Sequence, residues 1–292
     1  MIREIADLGF SNIELSHGIR LSLVPGILRA LDENIVKVTS VHNFCPLPPG
    51  VTHAAPNIFM PSAQKKREHD QWYSYTCRSL DFAQQVGAGL MVIHLGNVQF
   101  PLANPTRKLS SYVRKQKCLD VDEDEQFLKI REGMFEKLRK QMGPYWETVK
   151  SSLESILVLA EQNGVILGCE NRERLDELPL DEDFPSLLNN LSGPPMARYW
   201  HDAGHAHLKE ELGILWHEEL LEKNAENLAG FHLHDVRKGK DHQPLGSGSI
   251  DFHMVRRFFQ PGQRLTIELS PRLKKEEVLE SRDFLEDLIK DL

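Results

Sequence analysis

Residues 156–171 read ILVLAEQNGVILGCEN, an amphipathic helix that ends at a glycine and leads directly into a short apolar strand. The same order recurs in IREIADLGFSNIELS (2–16), LDFAQQVGAGLMVIHLG (80–96) and ENLAGFHLHDV (226–236). Glycine suits the left-handed turn that ends a helix, and an apolar run suits a strand buried on both faces of a parallel sheet. The repeated alternation of helix and strand therefore predicts βαβ units.

Seven such strands are predicted, with helices between them and a closing helix over 276–292. A chain of 292 residues that alternates in this way is typical of a single α/β domain, a (β/α)8 TIM barrel covering residues 1–292. The chain opens with a helix, so the first strand of the barrel is missing from this chain or the barrel closes in another way. The predicted strands are Asn12–Ser16, Val36–His42, Leu90–Leu95, Val165–Glu170, Arg198–Asp202, Gly230–His234 and Arg264–Ser270.

The stretch 97–162, after the strand that ends near His94, is too long for one crossover. It contains a Pro-rich basic loop (FPLANPTRK, 100–108), an acidic patch (DVDEDE, 120–125) and two helices split near Gly143 and Pro144. A connection that follows the C-terminal end of a barrel strand lies at the active-site face. We therefore expect a helical insertion that covers the barrel mouth.

Composition narrows the class of protein. The formal net charge is −8, which argues against a partner made of nucleic acid, and no apolar run is long enough to cross a membrane. The N-terminus lacks a basic-then-apolar signal pattern, and the four cysteines are scattered without a CxxC pair. These features predict a cytoplasmic protein with reduced thiols and a small-molecule substrate. The cysteines are Cys45, Cys77, Cys118 and Cys169.

Four late strands end in residues of the kind that bind metals: Glu170, Asp202, His234 and Glu268. They are separated by 32, 32 and 34 residues, close to the length of one strand-plus-helix unit. In a closed barrel, strand ends at this period meet around one mouth. Three carboxylates and one imidazole suit a catalytic Mn²⁺, Mg²⁺, Co²⁺ or Zn²⁺, and a cation removes the cost of burying three carboxylates together.

Further polar residues are predicted at the same mouth. His42 and His94 follow earlier strands and are expected to contact the substrate or a second metal. His232 shares a strand face with His234 and either contacts the substrate or supports a ligand from behind. The segment 238–242 leads into LGSGSID, a loop that either receives an anionic group or forms a solvated turn. The predicted substrate-contacting residues are His42, His94, His205, His232, Arg237, Lys240 and His242.

Together these pieces resemble the xylose-isomerase-like barrels. That superfamily includes sugar and sugar-phosphate isomerases and epimerases, hydroxypyruvate isomerase, inosose dehydratase and endonuclease-IV-type apurinic endonucleases. The resemblance spans nearly the whole chain outside the insertion. The matching pieces are IADLGFSNIELS, SVHNF, VIHLG, GCEN, HDAGH, FHLHD, DHQPLGSGSIDF and LTIELS.

The resemblance implies that Glu170, Asp202, His234 and Glu268 match the metal quartet of the family. It implies that Glu170 and Glu268 also move the proton, as in the ketose 3-epimerase branch, and that His205 contacts the substrate. The implied chemistry is isomerisation or epimerisation of a sugar, sugar phosphate or polyol through a metal-stabilised enediolate. It also implies that the barrel can form a homo-oligomer.

The sequence departs from the ketose 3-epimerase branch at two positions, which bears on whether it is an epimerase. That branch has an arginine shortly after its metal histidine, where this chain offers Arg237, Lys238 and Lys240. It also has a glutamate six residues beyond its first metal glutamate, where this chain has Asp176.

Three hypotheses follow. The first is a single-metal isomerase or epimerase, or a dehydratase on the same scaffold. The second is an endonuclease-IV-like phosphodiesterase with several metals, for which His42, His94, His205, Asp241 and His242 fall near the extra ligands. The matching nucleases space their Asp and His as Asp-x-His, whereas Asp241 and His242 are adjacent. The third is a barrel without catalytic activity that serves as a binding protein.

Overall fold

The computed structural model describes residues 1–116 and 120–292. Seven parallel strands form a nearly closed barrel in which neighbours follow the order of the chain. The predicted α/β barrel with one strand fewer than eight is thereby confirmed. The strands are β1 (Asn12–Leu15), β2 (Lys37–His42), β3 (Leu90–Ile93), β4 (Ile166–Glu170), β5 (Ala197–Asp202), β6 (Leu228–Leu233) and β9 (Arg264–Ile267).

Helices connect the strands. Short 3-10 turns at Leu21–Leu23, Asp181–Asp183 and Ala225–Asn227 precede α2, α6 and β6. The α-helices are α1 (Ile2–Asp7), α2 (Val24–Asp32), α3 (Lys66–Gln85), α4 (Pro105–Val113), α5 (Glu125–Asn163), α6 (Phe184–Asn189), α7 (Ala203–Glu210), α8 (His217–Asn224), α9 (Phe252–Arg256) and α10 (Lys275–Leu288).

The helix of the insertion differs from the prediction. We expected two helices split near Gly143 and Pro144, but α5 runs without interruption through Pro144. Proline removes one backbone hydrogen bond from a helix, yet this helix buries side chains on both sides of it. Packing on both sides of Pro144 therefore outweighs the local preference for a break. The buried side chains include Phe127, Ile130, Met134 and Leu138 before it and Val149, Leu153, Ile156 and Leu157 after it.

The loop predicted after β6 also contains regular structure. Residues Asp235–Arg237 (β7) and Lys240–Gln243 (β8) form an antiparallel hairpin beyond the barrel sheet. Lys238 and Gly239 both have positive φ at its tip, as a two-residue turn between antiparallel strands requires. The lysine-bearing segment is therefore a hairpin at the mouth, not an irregular loop.

The barrel interior below the mouth is filled by Leu90, Val92 and the indole of Trp200. The indole fits because Gly230 faces it: a Cβ at Gly230 would lie 2.6 Å from the Trp200 ring. This apolar layer forms the floor of the barrel and leaves the polar side chains of the strand ends above it.

The open side of the barrel lies between β9 and β1, the two ends of the sheet. Side chains cross this gap in place of a strand ladder. Nε of Arg264 donates to the carbonyl oxygen of Thr39 at 3.1 Å, and His232 reaches Glu14 of β1. These contacts link β9 to β2 and β6 to β1, strands on the two sides of the gap.

Two further observations bear on the sequence predictions. No helix in the described part of the chain is long and apolar enough to cross a membrane. Cys45 and Cys169 are buried free thiols and Cys77 is a partly buried one, while Cys118 lies outside the described residues.

Candidate metal centre and active site

Four ligand-type side chains meet at the C-terminal end of the barrel. Glu170 ends β4, Asp202 ends β5, His232 lies in β6 and Glu268 directly follows β9. One potential ligand atom from each lies within 4.8 Å of all the others, and we call this group the mouth cluster. The first three side chains are at most 1% exposed and Glu268 is 30% exposed, so the cluster opens to solvent beside Glu268.

His232 stands at the centre of the mouth cluster. Its Nδ1 lies 2.7 Å from Oε1 of Glu170, 3.0 Å from Oε2 of Glu268 and 3.9 Å from Oδ2 of Asp202. Its Nε2 lies 2.9 Å from Oε1 of Glu14. Nε2 faces Glu14, so Nδ1 is the nitrogen that faces the three carboxylates and that can bind a cation in exchange for its proton.

The electrostatics of the cluster call for positive charge at this point. Burial opposes a charge on His232, but Glu268 and Glu14 raise its pKa well above the usual range. Burial alone would raise the pKa of Asp202 and of Glu268, yet neighbouring imidazoles lower both well below the ordinary value. Crowded buried carboxylates require a balancing cation, and a divalent ion supplies one.

The donor set fits such an ion. Bonds of about 2.1 Å place adjacent ligands about 3.0 Å apart in an octahedral site and about 3.4 Å apart in a tetrahedral one, and the separations of 2.7 to 3.9 Å around Nδ1 of His232 bracket both values. A metal-binding imidazole usually donates its other N–H to a carboxylate, as His232 does to Glu14. Three carboxylates and one imidazole are donors that suit Mn²⁺ or Mg²⁺.

His234, the histidine predicted as the fourth ligand, lies beside the cluster and not at its centre. Its Nδ1 accepts from the backbone N–H of His242 at 2.9 Å, so its Nε2 carries the proton that it donates to Asp202 at 3.1 Å. Its ring also stacks on His242 with centroids 4.3 Å apart. Both ring nitrogens therefore have hydrogen-bond partners, and one potential ligand atom of His234 also lies within 4.8 Å of one from His242 and one from Glu268.

The local sequence around Asp202 explains how His234 fits. Asp202 caps α7 by accepting from the backbone N–H of His205 at 2.7 Å. In the same turn, a Cβ at Gly204 would lie 2.0 Å from Cε1 of His234. The Asp-Ala-Gly-His segment therefore leaves room for the His234 ring to press against the first turn of α7 and hold the Asp202 carboxylate.

His42 and His94 form a second group with Glu170, and one ligand atom from each lies within 4.8 Å of the others. Nδ1 of His42 bonds to the carbonyl of Asn43 at 3.1 Å, and Nδ1 of His94 bonds to Oδ1 of Asn57 at 2.9 Å. Both Nε2 atoms thus turn lone pairs toward Oε2 of Glu170, at 3.9 and 2.8 Å. Nε2 of His94 is buried and lies at an angle that makes no hydrogen bond.

Arg172 occupies the space beside this second group. Its Nη1 donates to Oε2 of Glu170 at 2.6 Å, and its Nε lies 3.4 Å from Oε1 of Glu177. Burial alone would raise the pKa of Glu170, but Arg172 and then His232 outweigh it and hold that pKa well below its usual range. The guanidinium therefore places a permanent positive charge on the oxygen that His42 and His94 face.

The other predicted substrate contacts divide into two sets. His205 and His242 border the mouth: Nδ1 of His205 lies 3.3 Å from Oδ2 of Asp202, and Nε2 of His242 lies 3.7 Å from Oε1 of Glu268. Arg237 and Lys240 are exposed and face each other across the β7–β8 hairpin. The structure does not bring Arg237 or Lys240 into the mouth cluster.

Three residues at the mouth were not predicted. Glu14 lies in β1, Arg172 in the loop after β4, and Asn57 in the loop before α3. Glu14 could have been found, because its alternation with the buried Ile13 and Leu15 points it into the barrel. Arg172 and Asn57 lie in irregular segments, where no periodicity indicates the direction of a side chain.

The fold and the mouth cluster define a parallel α/β barrel with a candidate metal centre at its C-terminal end. The chain belongs to the xylose isomerase-like TIM-barrel family, whose family model matches residues 2–288. The resemblance expected from the sequence is thereby confirmed. The sequence matches no functionally curated protein significantly.

Solved structures with the same fold include several sugar epimerases. A D-tagatose 3-epimerase-like protein superimposes with a TM-score of 0.69 at 16% identity, covering 98% of this chain and 91% of that one. A 3-keto-D-glucoside 4-epimerase from E. coli gives 0.64 at 16% identity, covering 98% and 92%. A xylose isomerase-like protein from Mycobacterium smegmatis, in complex with magnesium, gives 0.62 at 13% identity, covering 99% and 86%.

Proposed function

We propose that this protein is a divalent-metal-dependent isomerase or epimerase of a sugar, sugar phosphate or polyol. The observation that carries the proposal is the position of Nδ1 of His232, surrounded by the carboxylates of Glu170, Asp202 and Glu268. The family match and the sugar epimerases among the similar structures support the same class of reaction.

Glu170, Asp202, His232 and Glu268 would hold the cation. The sequence assigned the fourth place to His234, and the proposal gives it to His232 because both nitrogens of His234 are engaged. When bound, the cation would polarise the substrate carbonyl and stabilise the enediolate that forms after proton removal.

The protein's own side chains would move the proton. The pKa of Glu170 and that of Glu268 are both lowered, so both are ionised and able to accept a proton from carbon. Glu170 is 1% exposed and Glu268 is 30% exposed, so they approach a bound substrate from inside the barrel and from its open rim. One removes the proton and the other returns it, on the opposite face for epimerisation or on the neighbouring carbon for isomerisation.

His205 and His242, which border Asp202 and Glu268, are positioned to contact the hydroxyl groups of a substrate. The insertion contacts the loop that carries Arg172: Nδ2 of Asn104 donates to Oδ2 of Asp176 at 2.7 Å. We propose that residues 97–162 border the mouth and help to exclude water from a bound substrate.

A phosphodiesterase with several metals is the second candidate, and a specific observation favours it. His42, His94 and Glu170 form a buried ligand group next to the mouth cluster, and Glu173, His205 and Asp241 form another. Against it, Arg172 already places a positive charge on Oε2 of Glu170, which the first of these groups would need. The net charge of −8 also disfavours binding to a nucleic acid backbone.

The proposal is tested by proton exchange. Metal-stripped protein is given Mn²⁺ in D₂O with a panel of ketoses, aldoses, inososes and their phosphates, and loss of the α-proton signal is followed by NMR. We expect exchange that requires Mn²⁺ and is lost in Glu268→Gln, while Glu276→Gln, an exposed glutamate on α10, retains it. Absence of exchange on every substrate with Mn²⁺ bound, together with cleavage of abasic-site DNA, would favour the second candidate.

A further inference from the structure

A second cluster of ligand-type side chains lies outside the barrel mouth, between α7 and α8. His207 and Glu210 are one helical turn apart on α7, and His217 is the first residue of α8. One potential ligand atom from each lies within 4.8 Å of the other two. These three residues, which we call the outer cluster, take no part in the chemistry proposed for the mouth.

His207 and Glu210 on α7 each have one polar atom held by a hydrogen bond and another that faces the cluster. Nε2 of His207 bonds to Oγ of Ser249 at 2.8 Å, which leaves Nδ1 facing Oε2 of Glu210 at 3.4 Å. Oε1 of Glu210 accepts from the backbone N–H of His217 at 2.9 Å. The separation of 3.4 Å equals the spacing of about 3.4 Å between tetrahedral ligands on bonds of about 2.1 Å.

His217 is oriented in the same way. Its Nε2 lies 2.8 Å from Nε2 of His201, whose Nδ1 in turn lies 2.9 Å from the hydroxyl of Tyr199. Nδ1 of His217 has no hydrogen-bond partner among residues 1–116 and 120–292. His217 is 1% exposed and its Nε2 is held by His201, so Nδ1 is the nitrogen left to bind a metal ion.

We propose that the outer cluster binds a zinc ion through Nδ1 of His207, Oε2 of Glu210 and Nδ1 of His217, with water as the fourth ligand. Two imidazoles and one carboxylate are a donor set that zinc accepts in proteins. The mouth cluster has the opposite balance, three carboxylates and one imidazole, which suits Mn²⁺ or Mg²⁺. Glu210 is 30% exposed and gives the ion and its water a path from solvent.

The partners behind the three ligands support a built site. Each ligand has one polar atom held by another group of the protein. Ser249 holds His207, His201 holds His217, and the backbone N–H of His217 holds Glu210. Metal-binding side chains commonly rely on such partners, and removing one reduces metal affinity by about 10- to 100-fold. The alternative is that His207 and Glu210 only pair with each other on one helix, which would leave Nδ1 of His217 unused.

The test measures zinc bound per chain by equilibrium dialysis and elemental analysis. The variants are Glu210→Gln, whose amide oxygen can still accept from the His217 N–H, and the control Glu222→Gln, an exposed glutamate on α8. We expect Glu210→Gln to bind one equivalent of zinc less than the wild type and Glu222→Gln to bind as much as the wild type. Equal binding by Glu210→Gln and the wild type would overturn the proposal.

A second readout separates the outer cluster from the mouth. In a Glu268→Gln background, which disables the mouth, Co²⁺ at the outer cluster should show the strong visible absorption of a four-coordinate ion. That signal should be lost when Glu210→Gln is added. This readout needs no activity and no metal at the mouth, so it can succeed even if the proposed function is wrong. The proton-exchange test, in turn, does not depend on zinc binding at the outer cluster.

Discussion

His232 lies in β6 and His234 directly follows that strand, and the two histidines make different contacts. Nε2 of His232 faces the carboxylate of Glu14 in β1. Nδ1 of His234 instead accepts a hydrogen bond from the backbone N–H of His242 in β8. The sequence predicts that both point into the mouth, because side chains two apart in a strand share a face. It could not predict which one is better placed to bind a metal, because that depends on partners from distant parts of the chain.

The two histidines should differ in their effect on metal affinity. His232→Asn removes a direct ligand, so we expect Mn²⁺ affinity to fall by more than about 100-fold. His234→Asn removes only the donor that orients Asp202, for which a loss of about 10- to 100-fold is expected. Calorimetric Mn²⁺ titration measures both, with the exposed His53→Asn as control. A larger loss for His234→Asn than for His232→Asn would contradict the assignment.

Arg172 should limit the number of ions at the mouth. Its guanidinium neutralises Oε2 of Glu170, the atom that His42 and His94 also face. Arg172→Met would leave these three ligands free, so Mn²⁺ bound at saturation should rise from one equivalent per chain to two. The control is Arg174→Met, since Arg174 is 56% exposed and pairs with Asp176. A second Mn²⁺ in the wild type, or a single ion in Arg172→Met, would count against this role.

At the scale of secondary structure elements, the sequence predicted the strands and helices with a regular apolar pattern and missed the features without one. The seven strands, the long α3 and the closing α10 were predicted because their apolar patterns are regular. The continuity of α5 through Pro144 depends on packing on both sides of the proline, which local propensity does not report. The β7–β8 hairpin was missed because its strands are short and mostly polar, so they carry no apolar pattern.

The first turn of α7 should be sensitive to a single methyl group. In Gly204→Ala the new Cβ would meet the His234 ring, so the ring should move away from Asp202 and Mn²⁺ affinity should fall about as in His234→Asn. The matched control is Gly143→Ala, since a Cβ there meets nothing within 4 Å, and it should stabilise α5 by about 1 kcal/mol or less. Mn²⁺ titration and urea unfolding measure the two effects, and unchanged affinity in Gly204→Ala would contradict the packing argument.

At the scale of the whole molecule, buried histidines should set the pH dependence of stability in the metal-free protein. The pKa of His17 is lowered to about 4 and that of His217 to about 3, mainly by burial. The unfolded chain takes up these protons near pH 6.5 and the folded protein does so only at lower pH. Each group should therefore remove about 1.4 kcal/mol of stability per pH unit as pH falls from 6.5 toward its folded pKa.

Above pH 6.5, His242 should make the stability fall as pH rises. Hydrogen bonds to Asp241 and Glu268 outweigh burial and raise the pKa of His242 to about 10, so its contribution is present below pH 6.5 and is lost as pH rises toward 10. Stability should therefore be greatest near pH 6.5, as measured by urea unfolding of chelator-treated protein. His17→Gln should flatten the acid side and the exposed His53→Gln should not, whereas a curve unaffected by His17→Gln would contradict this origin.

The most direct test of the proposed metal centre is the position of a bound ion. Crystals grown with Mn²⁺ would be measured on both sides of the manganese absorption edge, and the anomalous difference map would locate the ion. We predict one strong peak at the barrel mouth, within about 2.3 Å of Nδ1 of His232 and of oxygens from Glu170, Asp202 and Glu268. A peak bound by His234 in place of His232, or no peak among these carboxylates, would contradict the account.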